Sequence, residues 1–583
     1  MRFGIFYEHQ KPRPWEAERS EQQLLSDALE QVELADRLGY DYVWEVEHHF
    51  LEEYSHSSAP EVFLAAASQR TKRIRLGHGI VQLPPQVNHP ARVAERIATL
   101  DLISGGRVDF GTGESSSGAE LGGFLVDRER KREMWEDSLD AITRMFVEEP
   151  FAGWDSEFFQ MPVRNVVPKP AQRPHPPLWV ACSRRDTIHL AAQKGIGALS
   201  FSFVEPEDAG KWVKEYYELI ASEECMPAGF AVNPSVTVVL PMMCHEDEAT
   251  AIERGIDGAH LFGYSLAYYY GFGRHRPGRS DIYEEFLRER DKRGFAREII
   301  SPDEAPLGVQ IMQQGLGSLR GAIGTPEQIA DLVRRYEAVG VDQVVFVSQA
   351  GPNRHEDICE SLELFGEKVI PQFAEQAEEA EREKLERLAP AIEAALARRE
   401  PAREAADDYV VEEKVDLARA RRSHPARPPL GPRELAREAK AALQRGGEVA
   451  LAKVVHGASN ERLERRFGNR FAQRAIFRGM AGRFDPAFAR GFQGEILYEL
   501  GYTTNGAGPD RWAIRIGEQT AEAVEGGAAD PAVTIRIGVA DFARLIAEEV
   551  RPPELFFDER LVIEGDFEVA SRLGEMFGAP SGY

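Results

Sequence analysis

Short apolar runs alternate with amphipathic helical stretches from residue 1 to about residue 375. Near-continuous apolar runs are typical of parallel strands that are buried on both faces, with helices connecting them. The pattern therefore predicts an α/β domain with a parallel sheet wrapped by helices. Eight candidate strands indicate a closed (β/α)8 TIM barrel: Arg2–Tyr7, Tyr42–Glu47, Ile74–Gln82, Val108–Gly111, Leu178–Ala181, Ala198–Phe201, Ser235–Met242 and Gln343–Val347.

An insertion from about residue 261 to residue 314 interrupts this pattern. It shows no clear strand and is rich in Tyr, Gly and Arg. A long insertion before the last strand is either a cap over a pocket or an unstructured loop, and the aromatic content favours a cap. We expect its aromatic residues to line an apolar pocket, namely Tyr264, Tyr268, Tyr269, Tyr270 and Phe272.

The composition changes after the predicted barrel, which we assign to residues 1–375. Residues 376–439 are rich in Ala, Glu and Arg and end in the proline-rich segment Ser423–Pro432, which predicts a solvent-exposed charged helix and a stiff linker. Residues 440–583 form a second predicted domain of the α+β class. Three of its segments alternate apolar and polar positions as antiparallel strands with one buried face do: Gly494–Leu500, Arg511–Ile516 and Val533–Ile537.

Charge and cysteine content limit the possible partners and location. The formal net charge of −26 argues against nucleic acid, because phosphate binding needs clustered Lys and Arg. The four cysteines form no CxxC pair, which fits neither a disulfide framework nor a structural zinc site. The chain enters a strand directly and has no apolar run of about 18 residues. We therefore expect a cytoplasmic protein with no membrane span.

Titratable residues follow the second predicted strand in the sequence Glu47-His48-His49-Phe50. Barrels of this kind hold their active sites at the carboxyl ends of the strands. We predict that His48 is catalytic, because an imidazole that titrates near neutrality can serve as acid or base, and that Glu47 either orients His48 or faces solvent. The alternative is that both histidines only cap the strand. No metal site is expected here, since adjacent strand residues point to opposite faces.

Several segments occur in an order that resembles the bacterial luciferase-like family of flavin-dependent monooxygenases: Phe3–Phe6, Glu47–Phe50, Gly77–Pro84, His89–Arg92, Leu100–Arg107, Gly324–Glu327 and Leu364–Phe365. The resemblance covers about residues 1 to 375. It implies a (β/α)8 barrel with reduced FMN at its mouth and His48 as the catalytic histidine. In such enzymes reduced flavin and O2 give a C4a-peroxide, which the protein must keep dry.

The resemblance also implies a cofactor site. Gly79–Ile80 corresponds to a non-proline cis peptide beneath the flavin ring. An Arg that holds the flavin phosphate in the family is replaced by Glu114, so we expect the phosphate to bind where a helix start near Ser183 supplies N–H groups, a hydroxyl and guanidiniums. The residues assigned to the cofactor are Gly79, Ile80, Gly113, Arg132, Ala181, Cys182, Ser183, Arg184, Arg185 and Thr187.

The second domain resembles the sterol carrier protein fold over about residues 471 to 578. The segments that support this are Gly491–Gly494, Trp512–Ile516, Asp530–Ile535 and Leu561–Phe567. The resemblance implies an apolar tunnel, which we expect between the strands containing Trp512 and Ile535 and the helix containing Phe542 and Leu545. The alternative is a domain that serves only for packing or for assembly of a homodimer or higher homo-oligomer.

The leading hypothesis is a two-component monooxygenase. It receives reduced FMN from a separate flavin reductase and inserts one oxygen atom from O2 into a small hydrophobic substrate. The first alternative is hydride transfer from a reduced deazaflavin, because barrels of this superfamily accept either cofactor and Glu114 weakens the match at the FMN phosphate. The second alternative is a non-catalytic carrier of flavin or lipid.

Overall fold

A computed structural model describes residues 1–15, 20–115, 117–183, 185–201, 205–297, 320–411, 454–489, 491–502, 508–547 and 549–577. The chain forms two compact units, one of Met1–Tyr269 with His275–Ser423 and the other of Tyr270–Arg274 with His424–Tyr583. Arg184, residues 298–314 of the insertion and the proline-rich segment lie outside the described residues, as does the side chain of Phe272.

The first unit contains a closed parallel barrel. The strands of the first unit are β1 (Arg2–Tyr7), β2 (Tyr42–Glu45), β3 (Arg75–His78), β4 (Val81–Gln82), β5 (Val108–Gly113), β6 (Trp154–Asp155), β7 (Gln160–Met161), β8 (Leu178–Cys182), β9 (Gly197–Ser200), β10 (Val236–Cys244), β11 (Ala322–Gly324) and β12 (Gln343–Val347). The barrel runs in the order β1, β2, β3, β5, β8, β9, β10, β12, and β12 closes on β1 with Gly4 opposite Val345. The eight predicted strands are confirmed, and the third is divided into β3 and β4.

Helices cover the outside of the barrel because each buries one apolar face against the strands. They are α1 (Ser20–Leu38), α2 (Pro60–Arg70), α3 (Pro90–Ser104), α4 (Gly118–Gly123), α5 (Lys131–Val147), α6 (Arg185–Gln193), α7 (Pro206–Ile220), α8 (Glu248–Ala267), α9 (Ile282–Arg293), α10 (Pro326–Ala338), α11 (His355–Lys368) and α12 (Pro371–Arg398). In the described part of the chain, no helix is both long and apolar enough to span a membrane.

Helix α12 packs against the barrel along one face. The ring of Phe373 lies 5.6 Å from that of Phe3, and Lys384 Nζ is 2.8 Å from Asp342 Oδ1. Near its end, Arg398 donates to the carbonyl oxygen of Cys225 at 2.9 Å. The interpretation of this stretch as a solvent-exposed helix is therefore wrong, because its charged residues alternate with an apolar face that the barrel buries.

The described part of the insertion consists of α8, a π-helical turn (Tyr268–Phe272) and α9. It packs on the loop between β2 and α2, where Glu53 accepts hydrogen bonds from the backbone N–H groups of Ile282 and Tyr283. Tyr264 is fully buried, and its ring lies 5.4 Å from that of Phe286. Tyr264 is thus part of the core of the insertion and not the wall of a pocket.

The second unit is an α+β fold. Its strands are β13 (Gly494–Gly501), β14 (Asp510–Ile516), β15 (Ala521–Glu525), β16 (Val533–Gly538) and β17 (Leu561–Gly565), which form one sheet in the order β15, β14, β13, β16, β17. Its helices are α13 (Asn460–Phe467), α14 (Arg470–Ala481), α15 (Pro486–Ala489), α16 (Val539–Ile546), α17 (Pro552–Phe557), α18 (Phe567–Ser571) and α19 (Leu573–Met576). Three strand pairs are antiparallel, and β13 pairs with β16 in parallel.

An aromatic stack fills the centre of this second unit. The buried ring of Phe477 is parallel to Trp512 at 5.1 Å and to Phe542 at 5.3 Å. Trp512 also donates its indole N–H to Gln473 at 2.9 Å. A side chain from α14 thus fills the space between Trp512 and Phe542. The apolar tunnel expected between this sheet and the helix containing Phe542 and Leu545 stays a prediction.

Candidate active site

His48 lies at the carboxyl end of β2, where the chain has left the strand. Its backbone N–H donates to the carbonyl oxygen of Ser57 at 2.8 Å, which fixes the turn. Its Nδ1 is 3.0 Å from Glu120 Oε1, and its Nε2 is 3.6 Å from Glu8 Oε2. The imidazole is thus held between two carboxyl groups, one directly after strand β1 and the other on helix α4.

Glu120 is a buried hydrogen-bond acceptor at the start of α4. Besides His48 it accepts from the N–H of His49 at 3.0 Å, from Gln82 Nε2 at 2.6 Å and from Ser115 Oγ at 2.9 Å. Burial by itself would raise the pKa of Glu120, but the charge of His48 and these hydrogen bonds lower it to about 2. Glu120 is therefore ionised at any physiological pH.

The pKa of His48 lies above neutrality and that of Glu8 lies near it. Burial opposes the charged imidazole, but Glu120 and then Glu8 raise the pKa of His48 to about 9. Burial raises the pKa of Glu8 to about 7, against the opposing effects of His48 and of the hydrogen bond from Tyr54. At neutral pH the site therefore holds an imidazolium beside a carboxyl group that gains or loses its proton near that pH.

Glu47 is not the residue that orients His48. It accepts from the N–H of Gln82 at 2.7 Å and from Asn88 Nδ2 at 2.8 Å, and it lies 3.2 Å from His49 Nε2. The hypothesis that Glu47 orients His48 is corrected accordingly, because the two neighbours in sequence point in different directions and Glu120 takes that role. A catalytic part for Glu47 stays a prediction.

Sequence reasoning missed Glu8 and Glu120. Glu8 directly follows β1, so the rule that selected His48 could have selected it. Glu120 follows Ser117 by three positions, and its backbone N–H donates to the Ser117 side chain. This spacing is typical of the start of a helix. It does not indicate that the Glu120 side chain contacts His48. Only the closed barrel brings these residues together.

Gly79, Ile80 and Gly113 meet at the same end of the barrel, where β4 pairs with β5. A Cβ on Gly113 would lie 2.6 Å from Ile80 Cδ1, and one on Gly79 would lie 3.1 Å from Phe6 Cε2. The expectation of a cis Gly79–Ile80 bond is wrong, since the cis bonds of the described residues all precede proline. The physical reason is that a non-proline cis bond costs about 2.5–4 kcal/mol and nothing here stabilises it.

Arg132 neutralises Glu114 through two hydrogen bonds of 2.9 and 3.0 Å. Lys131 Nζ lies 3.4 Å from the same carboxylate. The three side chains together carry a net charge of about +1, so Glu114 does not leave this end of β5 repulsive to an anion. Arg132 also affects the titration of Cys182, which places its guanidinium near the end of β8.

The other predicted phosphate ligands divide into two groups. Ala181 and the exposed Ser183 lie at the carboxyl end of β8, next to the start of α6. The Cys182 thiol is buried and interacts with Thr187, which indicates a packing role for both. Arg185 pairs with Glu215 of α7 through two hydrogen bonds, so its guanidinium is engaged with the neighbouring helix.

Two further histidines have structural surroundings. His78 ends β3 fully buried, and burial lowers its pKa to about 4, so it is neutral. His89 caps α3, where its Nδ1 accepts from the N–H of Ala91 at 3.2 Å. His89 therefore serves as the N-cap of α3.

Comparisons with known proteins agree with this fold. The family model described as luciferase-like monooxygenase matches residues 1–343, and the chain therefore belongs to that family of oxidoreductases. The model of the SCP-2 sterol transfer family matches residues 498–578, so the chain is a fusion of the two.

Individual relatives cover mainly the barrel. An uncharacterized protein, y4wF of Sinorhizobium fredii, is 32% identical over 37% of this chain and 61% of its own length. The oxygenase component of flavin-dependent trigonelline monooxygenase from Acinetobacter baylyi is 24% identical over 64% of this chain and 96% of its own. The crystal structure of monooxygenase RslO1 from Streptomyces bottropensis has a TM-score of 0.50 at 25% identity and covers 64% of this chain and all of its own.

Proposed function

We propose that the chain is the oxygenase of a two-component monooxygenase, which takes reduced FMN from a separate flavin reductase and inserts one oxygen atom from O2 into a hydrophobic substrate. The observation that carries the proposal is the partly buried His48 between the buried Glu120 and Glu8 at the mouth of a luciferase-like barrel. The trigonelline monooxygenase relative, which this chain matches over 96% of that protein's length, is named as an oxygenase component. The name supports a separate reductase.

The residues present fit a flavin phosphate. Arg132 and Lys131 outnumber the single carboxylate of Glu114, and Ser183 offers a hydroxyl at the end of the neighbouring strand β8. We assign the phosphate to Arg132 and Ser183 and give Arg185 a smaller part. Both guanidiniums pair with a carboxylate, but Lys131 shares the carboxylate of Glu114, and the side chain of Arg185 is the more exposed of the two, at 58% against 38%. We assign Gly79, Ile80 and Gly113, which meet where β4 pairs with β5, to the wall against which the ring system would lie. Reduced FMN, when bound, supplies the activation of O2.

His48 supplies a proton in this proposal. With a pKa of about 9 it is charged at neutral pH, and its Nε2 carries a proton on the side that faces Glu8. Glu120 keeps the ring in place through Nδ1 and stays ionised while Nε2 loses its proton. Glu8, with a pKa of about 7, can return a proton to Nε2. A positioned acid of this kind contributes about 10²- to 10⁴-fold to the rate.

Water exclusion is the role that we assign to the insertion. Tyr54 donates to Glu8 at 3.0 Å, and the rings of Phe262 and Tyr269 lie 5.6 and 6.3 Å from the ring of Tyr54. These aromatic contacts cover the outer side of the Glu8 carboxyl group. Burial raises the pKa of Glu8, whereas the carboxyl groups of Glu120 and Glu8 raise the pKa of His48 against the effect of burial. The cover therefore acts on the chemistry mainly through Glu8.

The substrate class rests on the match of residues 498–578 to the SCP-2 sterol transfer family. A fused module that binds an apolar compound raises the local concentration of that compound near the barrel. We therefore propose an apolar substrate, or one with an acyl or polycyclic part. The deazaflavin alternative loses its main support, because Arg132 neutralises Glu114.

The test is an anaerobic titration of the full chain with reduced FMN and, separately, with a reduced deazaflavin, followed by admission of O2. We expect saturable binding of reduced FMN and consumption of O2 by that complex, with H2O2 release when no substrate is present. Binding of the deazaflavin alone, with no reaction of the complex with O2, would overturn the proposal.

A further inference from the structure

A second pair of buried titratable side chains, His9 and Glu45, lies beside the candidate active site. His9 follows β1 by two positions, and Glu45 is the last residue of β2. His9 Nε2 lies 2.9 Å from Glu45 Oε1, and each side chain is only 1% exposed. The ring of His9 packs 4.8 Å from the ring of Phe63 on α2. The pair therefore lies between the strand ends and the helical layer, and no step of the proposed mechanism uses it.

Stability alone does not account for this pair. Both groups lose their hydration, and a buried ion pair is often no more stable than apolar side chains of similar volume. The backbone of His9 is also strained, because its φ of 53° lies in the left-handed region that residues other than glycine seldom adopt. Such strain is typical of functional sites, where the surrounding structure holds it in place. The contacts of the pair show which part of the site it supports.

Ser57 connects the pair to His48. The Ser57 hydroxyl group contacts Glu45 Oε1 and the carbonyl oxygen of Val46, the latter at 2.7 Å. The carbonyl oxygen of Ser57 accepts the backbone N–H of His48 at 2.8 Å. Because Ser57 is buried, water does not compete for these contacts. Glu45 therefore holds the residue that holds the His48 backbone.

The two residues before Ser57 hold the end of β1. Ser55 Oγ donates to the carbonyl oxygen of Glu8 at 2.8 Å, and the N–H of Ser57 donates to Ser55 Oγ at 3.3 Å. The N–H of His56 donates to the carbonyl oxygen of His9 at 3.2 Å. The segment formed by these three residues thus ties the end of β1, which carries one carboxyl group of the site, to the end of β2, which leads into the catalytic imidazole.

We propose that Glu45 is a positioning residue for His48. His9 holds Glu45 in place. Glu45 in turn holds Ser57, which places the His48 ring opposite the carboxyl group at the end of β1. The effect on turnover rests on the proposed function, whereas the effect on the His48 ring is a property of the protein alone.

The titration of His48 reports the position of its ring. Burial opposes the charged imidazole, but the carboxyl groups of Glu120, Glu8 and Glu47 raise the pKa of His48 to about 9. A ring that moves away from these groups loses part of their effect, so its pKa falls toward the ordinary 6.5. Three titratable groups face Glu45 or His9 themselves: Tyr7, Glu8 and His56.

Two substitutions of Glu45 separate its contact from its charge. Glu45→Gln keeps an oxygen that can accept the Ser57 hydroxyl, whereas Glu45→Met has a side chain of similar length and no such acceptor. Full-length protein with isotope-labelled histidine is titrated by NMR, and the His48 signal is assigned from its loss in His48→Gln. We expect the pKa of His48 to fall by about 1 pH unit or more in Glu45→Met and clearly less in Glu45→Gln.

Ser57→Ala and Tyr7→Phe complete the set. Ser57→Ala deletes one oxygen atom and should lower the pKa of His48 as Glu45→Met does, which keeps the test decisive where Glu45→Met does not fold. Tyr7→Phe removes a buried hydroxyl group beside His9 that bonds to Gln31 on α1, so it should leave His48 unchanged and is the control. Circular dichroism shows which variants are folded.

Turnover with reduced FMN is the second readout. A displacement of about 1 Å at a reacting group can cost about 10²-fold in rate, so we expect losses of up to that size in kcat for Glu45→Met and Ser57→Ala, with flavin affinity nearly unchanged. An unchanged pKa of His48 in both variants, or a loss in Glu45→Gln equal to that in Glu45→Met, would overturn the positioning role. Expected pKa values without any turnover in the wild type would support that role and contradict the proposed function.

Discussion

Glu120 and His48 are 72 positions apart in the sequence, yet Glu120 Oε1 lies 3.0 Å from His48 Nδ1 in a buried site. Helix α4 delivers the carboxylate and the end of β2 delivers the imidazole. The pair fixes the ring and keeps it protonated at neutral pH. The expected pH dependence of activity and of stability follows from this contact.

Replacement of His48 by Ala should lower kcat by about 10²-fold or more, because the proton donor is lost. The affinity for reduced FMN should change little, since His48 is not among the assigned phosphate ligands. Stopped-flow turnover and an equilibrium flavin titration measure the two effects separately. An unchanged kcat would remove His48 from the mechanism.

Glu120→Gln should lower the pKa of His48, because Glu120 is the largest contribution that raises it. The protonated form of His48 is the active one in our proposal, so activity falls as pH rises through its pKa of about 9. In the variant, the alkaline limb of the pH–activity profile should move toward neutrality. Glu47→Gln is the matched control and should move the limb less. Equal shifts in both variants would contradict the assignment of Glu120.

The stability of the barrel should reflect the raised pKa of His48. A group whose pKa is raised from 6.5 to about 9 on folding stabilises fully below pH 6.5 and loses that contribution as pH rises through 9. The difference in urea midpoint between the wild type and His48→Gln should therefore be large near about pH 6 and small near about pH 10. A difference that is constant with pH would show that His48 is not charged in the folded state.

Arg132→Ala should weaken FMN binding but leave riboflavin binding nearly unchanged, since riboflavin has no phosphate. Arg185→Ala is the informative comparison: the side chain of Arg185 is more exposed than that of Arg132 and lies beside Glu215, so we expect a smaller effect on FMN. Calorimetric titration of each variant with FMN and with riboflavin gives the four dissociation constants to compare with those of the wild type. A larger effect for Arg185 would place the phosphate at the start of α6, away from Arg132.

Phe477→Ala should destabilise the second unit by about 3–5 kcal/mol, the usual cost of removing a buried phenyl ring. The ring stacks between Trp512 and Phe542, so its loss leaves a cavity at the position expected for a ligand. Fluorescent fatty-acyl and sterol probes should then bind the variant more tightly than the wild type. Tighter binding to the wild type would mean that the ligand site lies elsewhere in the unit.

The sequence alone determined the barrel and the position of its mouth. Apolar runs such as Gln343–Val347 are buried on both faces, and this property is local, so it can be read without knowing which strands are neighbours. His48 could be predicted for the same reason, because it follows such a run. Glu8 met the same criterion after β1 and could have been chosen.

Tertiary structure decided the partners of these residues. Glu120 contacts His48 because the folded chain brings the start of α4 to the end of β2, and Arg132 neutralises Glu114 because α5 passes the end of β5. No spacing in the sequence specifies either pair. The same holds for Phe477, whose ring on α14 fills the space between Trp512 and Phe542. Local patterns record burial and chain direction, whereas the identity of a partner depends on side-chain directions that are set when distant segments pack.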